Sequence, residues 1–218
     1  MEALIGSESY SDKDILNKEQ NKLFNRIWHF VGFNDDFLNE NDFISINIAS
    51  IPVVIQKLRG EIRAFKNVCS HRHSIIQTEA KGNRPLMCPY HGWAYDNKGV
   101  PRGIPKKPLF SFTESELLCL KLEEFSIQLC GRLVFVNISS HPQNLNSYLG
   151  SYFGRLELMS ENFGKRIDVN SMIIDANWKI LVENTLESYH VNLVHANSFK
   201  KLGTDGLDFQ FDNGPINL

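Results

Sequence analysis

The sequence predicts an α+β protein, on three observations. A short helical apolar pattern lies near the N-terminus, alternating apolar and polar residues dominate from about residue 38 to 140, and helical spacing returns after His141-Pro142. The 218 residues, 42% hydrophobic and 22% charged, suffice for a substantial core. The expected division is an N-terminal helical segment (1–37), a β-rich domain (38–140) and a further α+β part (141–218).

Asn17 followed by Gln20 has the form of a capping box, and Leu23, Phe24, Ile27, Trp28 and Val31 recur at helical spacing, so a helix is expected over about 18–31. From Phe43 the period becomes two. Ile44, Ile46 and Ile48 alternate with Ser45 and Asn47, Val53 to Leu58 is a second β-rich run, and Arg59-Gly60 turns it into Glu61 to Phe65. Further strands are expected at Pro85 to Met87, Ala94-Tyr95, Phe125 to Leu129 and Leu133 to Ile138, with Gly82, Gly99, Gly103 and Gly131 marking turns. Beyond His141, Met172 to Asp175 has strand character. A helix begins near Asn177, with Trp178, Leu181, Val182, Thr185 and Tyr189 on its apolar face.

A net charge of −2, a pI near 6.4 and no basic run beyond Lys106-Lys107 argue against nucleic acid or an anionic membrane as partner. Met1 to Tyr10 lacks a basic start followed by an apolar stretch, and no apolar run reaches membrane-spanning length. A cytoplasmic location with reduced thiols is expected, so the four cysteines direct attention to metal binding.

Cys69-Ser-His71 and Cys88-Pro-Tyr-His91 form two pairs separated by sixteen residues, each in a turn-rich segment. Each loop offers one sulfur and one nitrogen. Thiolates suit ferric iron and sulfide, whereas neutral imidazoles remove negative charge from their iron and make it easier to reduce. Such mixed ligation moves a [2Fe–2S] centre from about −400 mV to roughly −150 to +300 mV. Two Cys and two His would also suit one zinc ion, although one intervening residue between Cys69 and His71 is tight for a single tetrahedral site. Cys119 and Cys130 lie outside both loops and read as small buried hydrophobes. His73 is an extra imidazole, expected behind the ligands or in solvent. Trp93 and Tyr95 read as core residues that also shield the site.

The strings Asn67-Val-Cys69-Ser-His71-Arg72-His73 and Cys88-Pro-Tyr-His91-Gly-Trp93 resemble those of Rieske proteins, the second being close to the form in Rieske oxygenases. The resemblance implies a Rieske [2Fe–2S] cluster held by Cys69, His71, Cys88 and His91.

Downstream, Glu183, Glu187 and His190 fall within about 60° on a helical wheel. Alone, this stripe is an ordinary solvated face. With His195, the element Glu187-x-x-His190-x-x-x-x-His195 resembles the start of the mononuclear iron site in α subunits of Rieske non-haem iron oxygenases. That resemblance implies Fe(II) bound by His190, His195 and a later carboxylate, on a helix-grip-like catalytic domain. On an unbroken helix the two imidazoles would diverge by over about 100°, so the helix must end or distort between them for both to reach one metal. Glu187 stands where the family commonly has an aspartate linking cluster and iron across a subunit boundary, a feature resembling the carnitine and betaine branch. Asp205, Asp208 and Asp212 do not match the spacing of the third ligand, and the expectation is an N-terminal part of an α subunit.

The function implied is that of the terminal oxygenase of a multicomponent mono- or dioxygenase acting on an aromatic ring or a quaternary ammonium compound. It would use O2, with electrons from a reductase or ferredoxin supplied by reduced nicotinamide, in a homotrimer or α3β3 assembly. The rivals are a Rieske ferredoxin, which needs only the first motif, and a zinc-filled β scaffold.

Overall fold

The computed structural model describes residues 5–168, 171–186 and 190–202. Two compact units divide the chain, one formed by Glu19–Phe163 and the other by Met1–Lys18 with Gly164–Leu218.

The larger unit is built on an antiparallel sheet. Its strands are β1 (His29–Phe33), β2 (Asp42–Ile48), β3 (Ile51–Leu58), β4 (Glu61–Lys66), β5 (Lys81–Asn83), β8 (Glu124–Cys130) and β9 (Leu133–Asn137), in the order β1-β9-β8-β4-β3-β2-β5. A separate two-stranded ribbon pairs β6 (Ala94–Tyr95) with β7 (Pro101–Gly103). The register places Ile55 of β3 between Ile44 of β2 and Ala64 of β4. Strand β3 is buried on both faces: Val54 joins a core with Phe43, Phe65, Cys69, Cys88, Trp93 and Tyr95, while Val53 and Ile55 join another with Ala64, Phe125, Val134 and Val136. A strand covered on both sides needs apolar residues on both, which accounts for the continuous run from Val53 to Ile55. The first of these cores carries the two ligand loops.

The meander expected from residue 43 is present, and three local readings change. The helix expected over 18–31 instead runs as α1 (Glu8–Ser11) and α2 (Lys13–Glu19), continued by a π turn over Gln20–Phe24. Asp12 supplies the cap, its carboxylate accepting from the Asp14 backbone N–H at 2.7 Å. Trp28 and Val31 are buried beyond the helix; Trp28 donates its indole N–H to the Gln143 carbonyl at 2.9 Å, and Val31 lies within β1, which pairs with β9. Sheet pairing thus overrides a spacing that suits a helix. The strand expected at Pro85 to Met87 lies earlier, at β5, because Met87 turns back to Pro85 and makes only one bridge, to Ala94. Met172 to Asp175 forms no strand, and Ile173 is fully exposed.

Helix α3 (Glu114–Cys119) was not anticipated, although Thr113 and Glu116 form a reciprocal capping box in front of it. Cys119 is exposed, against expectation, whereas Cys130 is buried. After β9 come α4 (Leu145–Leu149) and α5 (Tyr152–Glu161), which pack on the sheet through Leu145, Phe153 and Leu156.

In the smaller unit, α6 (Trp178–Leu186) is capped by Asn177, whose side chain accepts from the Lys179 N–H at 3.1 Å. Of the residues expected on its apolar face, Trp178 is half-buried, Leu181, Val182 and Thr185 are exposed, and Tyr189 lies outside the described residues. Its polar face is engaged, since Tyr10 of α1 donates to Glu183 at 2.5 Å and Asn177 donates to the Tyr10 carbonyl at 3.0 Å. Helix α7 (Val191–Val194) follows. Among the described residues no helix is long and apolar enough to cross a membrane.

Candidate metal centre

Two loops, one between β4 and β5 and one before β6, share a single backbone design. In the first, the Cys69 N–H donates to the Ser74 carbonyl at 2.8 Å and the His73 N–H returns to the Cys69 carbonyl at 2.9 Å. In the second, the Cys88 N–H donates to Trp93 at 2.8 Å and the Gly92 N–H to Cys88 at 3.0 Å. Each loop is closed by one bridge, Val68 to Ile75 and Met87 to Ala94. The frame places the fifth residue of each loop in the left-handed region. Gly92 holds it in the second loop at φ +71°, His73 in the first at φ +56°. Glycine adopts that conformation without strain and histidine does not. His73 therefore carries left-handed strain, with its side chain in solvent.

The shared frame turns the donor side chains toward one another. Cys69 and Cys88 are both buried, and the Cys88 thiol acts on that of Cys69. The rings of His71 and His91 lie edge to face with centroids 4.8 Å apart. His71 stacks on Trp93 at 4.7 Å with an interplanar angle of 4°, and Phe110 stands against both rings. His91 is exposed and lies 3.9 Å from the Tyr90 ring. Among the described residues no three His, Cys, Asp or Glu side chains gather where one metal ion would sit.

The electrostatics of the two donor types differ. Burial pushes the Cys69 thiol above its usual range, partly offset by the hydroxyl of Tyr95, which donates to Cys69 Sγ at 3.0 Å. The Ser70 backbone N–H donates to the same hydroxyl at 3.0 Å. Burial, then the nearby His91 and Arg72, hold the His71 imidazole below its ordinary pKa and favour its neutral form. Its Nδ1 is buried without a hydrogen-bond partner. A buried ring nitrogen with a free lone pair is costly to leave alone, so a bound metal fits it. Sequence reasoning gave Tyr95 a core and shielding role and missed its bond to sulfur; the need of a buried tyrosine hydroxyl for a partner was the available signal.

His190 and His195 flank α7, His190 preceding its first turn and His195 ending it at φ −105°, ψ 27°. The four-residue helix spans the interval between them, and the two rings lie 5.3 Å apart. Phe199 lies 4.9 Å from His195. Glu187, Asp205, Asp208 and Asp212 lie outside the described residues.

Residues 27–113 match the family model "Rieske [2Fe-2S] domain", and residues 154–215 match "Ring hydroxylating alpha subunit (catalytic domain)". The chain is 30% identical over 200 residues to the 2-aminobenzenesulfonate 2,3-dioxygenase α subunit of Alcaligenes sp, covering 88% of this chain and 50% of that protein. It is 28% identical to the carnitine monooxygenase oxygenase subunit of Escherichia coli (strain K12), covering 88% and 52%. A solved naphthalene 1,2-dioxygenase with indole in its active site superposes with a TM-score of 0.75 at 28% identity, over 87% of this chain and 44% of that one. The chain thus spans about half the length of the curated relatives it matches. The two matching domains imply an iron–sulfur cluster and iron. The chain thus joins a Rieske domain to residues of a ring-hydroxylating α-subunit catalytic domain, and the relatives it matches are oxygenase subunits.

Proposed function

We propose that the protein is the terminal oxygenase component of a multicomponent Rieske mono- or dioxygenase. The observation that carries this reading is the presence, in one chain, of two matched Cys/His loops and a second imidazole pair at α7. Cys69 and Cys88 would hold one iron of a [2Fe–2S] cluster, His71 and His91 the other, and His190 and His195 a mononuclear Fe(II). The single residue between Cys69 and His71 is tight for one tetrahedral ion and favours two irons over one zinc. When bound, the cluster would relay electrons from a reductase to Fe(II), which activates dioxygen for insertion into an organic substrate.

The protein's own part is positional. Trp93 and Phe110 pack against His71, while the exposed ring of His91 is the donor through which electrons would leave the cluster. Glu187 would hydrogen-bond between cluster and iron sites rather than bind iron. A ferredoxin role explains residues 27–113 and leaves the second match, over 154–215, without a purpose. The substrate is an aromatic ring or a quaternary ammonium compound, the assembly a homotrimer or α3β3 complex, and the location cytoplasmic.

The test uses the full-length polypeptide with a reductase and reduced nicotinamide. Substrate-dependent oxygen uptake is expected, abolished by His190→Ala with cluster absorbance retained. Uptake unchanged in His190→Ala would contradict the assignment. In rapid mixing with oxygen and substrate, Glu187→Gln should reoxidise its cluster more slowly than wild type, and Glu187→Asp should fall between them.

A further inference from the structure

Beneath the ligand loops, where an apolar core is expected, three amides are buried: Gln56 is 0% exposed, and Gln77 and Asn67 are each 1% exposed. They form one connected set. Asn67, two residues before Cys69, donates to the Gln77 carbonyl at 2.8 Å, and the Gln77 N–H returns to Asn67 Oδ1 at 2.8 Å, closing the base of the first loop. Asn67 also donates to Ser45 Oγ at 2.8 Å. The side-chain amide of Gln77 then reaches the second loop, donating toward the carbonyls of Pro85 at 3.2 Å and Arg84 at 3.4 Å. Arg84 answers from the other side, its guanidinium donating to Gln77 Oε1 and to the Ile76 carbonyl. Gln56, fixed in β3, accepts from Gln77 Nε2 at 3.1 Å and donates to the Arg84 carbonyl at 2.6 Å.

We propose that Gln77 is a positioning residue for the cluster, its buried amide bolting the exit of the first ligand loop to the entry of the second. Apolar contacts tolerate sliding; hydrogen bonds to fixed carbonyls do not. The bolt sets how far the Cys69/His71 loop stands from the Cys88/His91 loop, and Gln56 ties that spacing to the sheet. The ligands' outer partners then decide donor placement, as they do around other metals. This inference rests on the reading of the loops as a cluster site.

The experiment compares wild type, Gln77→Leu, Gln77→Glu and Val136→Ala, the last being a cavity control in the core on the opposite face of the sheet. Iron release to a chelator and the EPR g values of the reduced cluster are measured alongside melting temperature. Gln77→Leu should lose iron about tenfold faster than the control and show shifted, broadened g values. Gln77→Glu, which keeps the acceptor for Arg84 and loses the donors toward the second loop, should behave likewise. Control-rate release with wild-type g values in Gln77→Leu overturns the proposal; if that variant does not fold, Gln77→Glu decides by the same two readouts. Absence of labile sulfide from wild type would instead overturn the cluster reading, and the proposal with it.

Discussion

In the loops that carry Cys69, His71, Cys88 and His91, backbone hydrogen bonds close each turn, buried amides tie the bases together, and Trp93 stacks on one imidazole. Around His190 and His195 a helix of four residues supplies the geometry, with Leu193 80% and Val194 71% exposed. The first region is assembled by its own unit. In the second, the two half-buried rings lie together and Phe199 stands against His195. A cluster site should therefore form independently of the imidazole pair at α7.

Replacement of one donor in each region gives the largest contrast. Cys88→Ala should abolish the cluster, seen as loss of visible absorbance and labile sulfide, whereas His190→Ala should leave both at wild-type levels. Cluster loss in His190→Ala would mean that the regions are not independent.

The matched loop frames give the next contrast. Gly92 has φ +71°, and an added Cβ would lie 3.2 Å from Pro105 Cγ, so Gly92→Ala should destabilise the protein by about 1–2 kcal/mol. His73→Gly at the equivalent position should change stability by less than about 0.5 kcal/mol, because relief of left-handed strain offsets the greater freedom of glycine in the unfolded chain. Urea unfolding measures both. Equal losses in the two variants would contradict the shared frame.

A finer contrast concerns Tyr95. Its hydroxyl bond to Cys69 Sγ would stabilise the more negative, reduced state of a cluster held there, so Tyr95→Phe should lower the reduction potential by roughly tens of millivolts, on the order expected for hydrogen bonds to cluster sulfurs. An unchanged potential would show that the bond does not favour the reduced state.

The smallest effect is at Asp96, in the turn that joins β6 to β7. Burial raises its pKa, but N–H bonds from Val100 and Lys98 and the Arg102 guanidinium outweigh burial and hold it below the usual carboxylate value. A depressed folded pKa contributes stability above the unfolded value, lost as pH falls through the folded one. The stability gap between wild type and Asp96→Asn should thus be present at pH 7 and close in acid, at the low end of the carboxylate range. Melting curves at both pH values check this; a gap that persists in acid would contradict it.

The donors and most strands are legible in the sequence because residue type and a period of two state them directly. Cys-x-His and Cys-x-x-His specify soft and borderline ligands whatever surrounds them, and Ile44, Ile46 and Ile48 alternate because one face of β2 is better covered than the other. Less legible are features that depend on distant chain. Trp28 and Val31 fit a helix until β9 pairs with β1, Leu181 and Val182 of α6 are exposed, and Gln56 interrupts an apolar strand because two loops meet beneath it. The capping box at Thr113 and Glu116 was local and readable, but a short helix between strands is easily passed over.

The most direct test of the account is the metal content of the purified protein with its EPR spectrum after reduction. The account predicts two irons and two acid-labile sulfides in the Cys69, His71, Cys88 and His91 site, with a Rieske-type signal on reduction. Stoichiometric zinc without labile sulfide would contradict it.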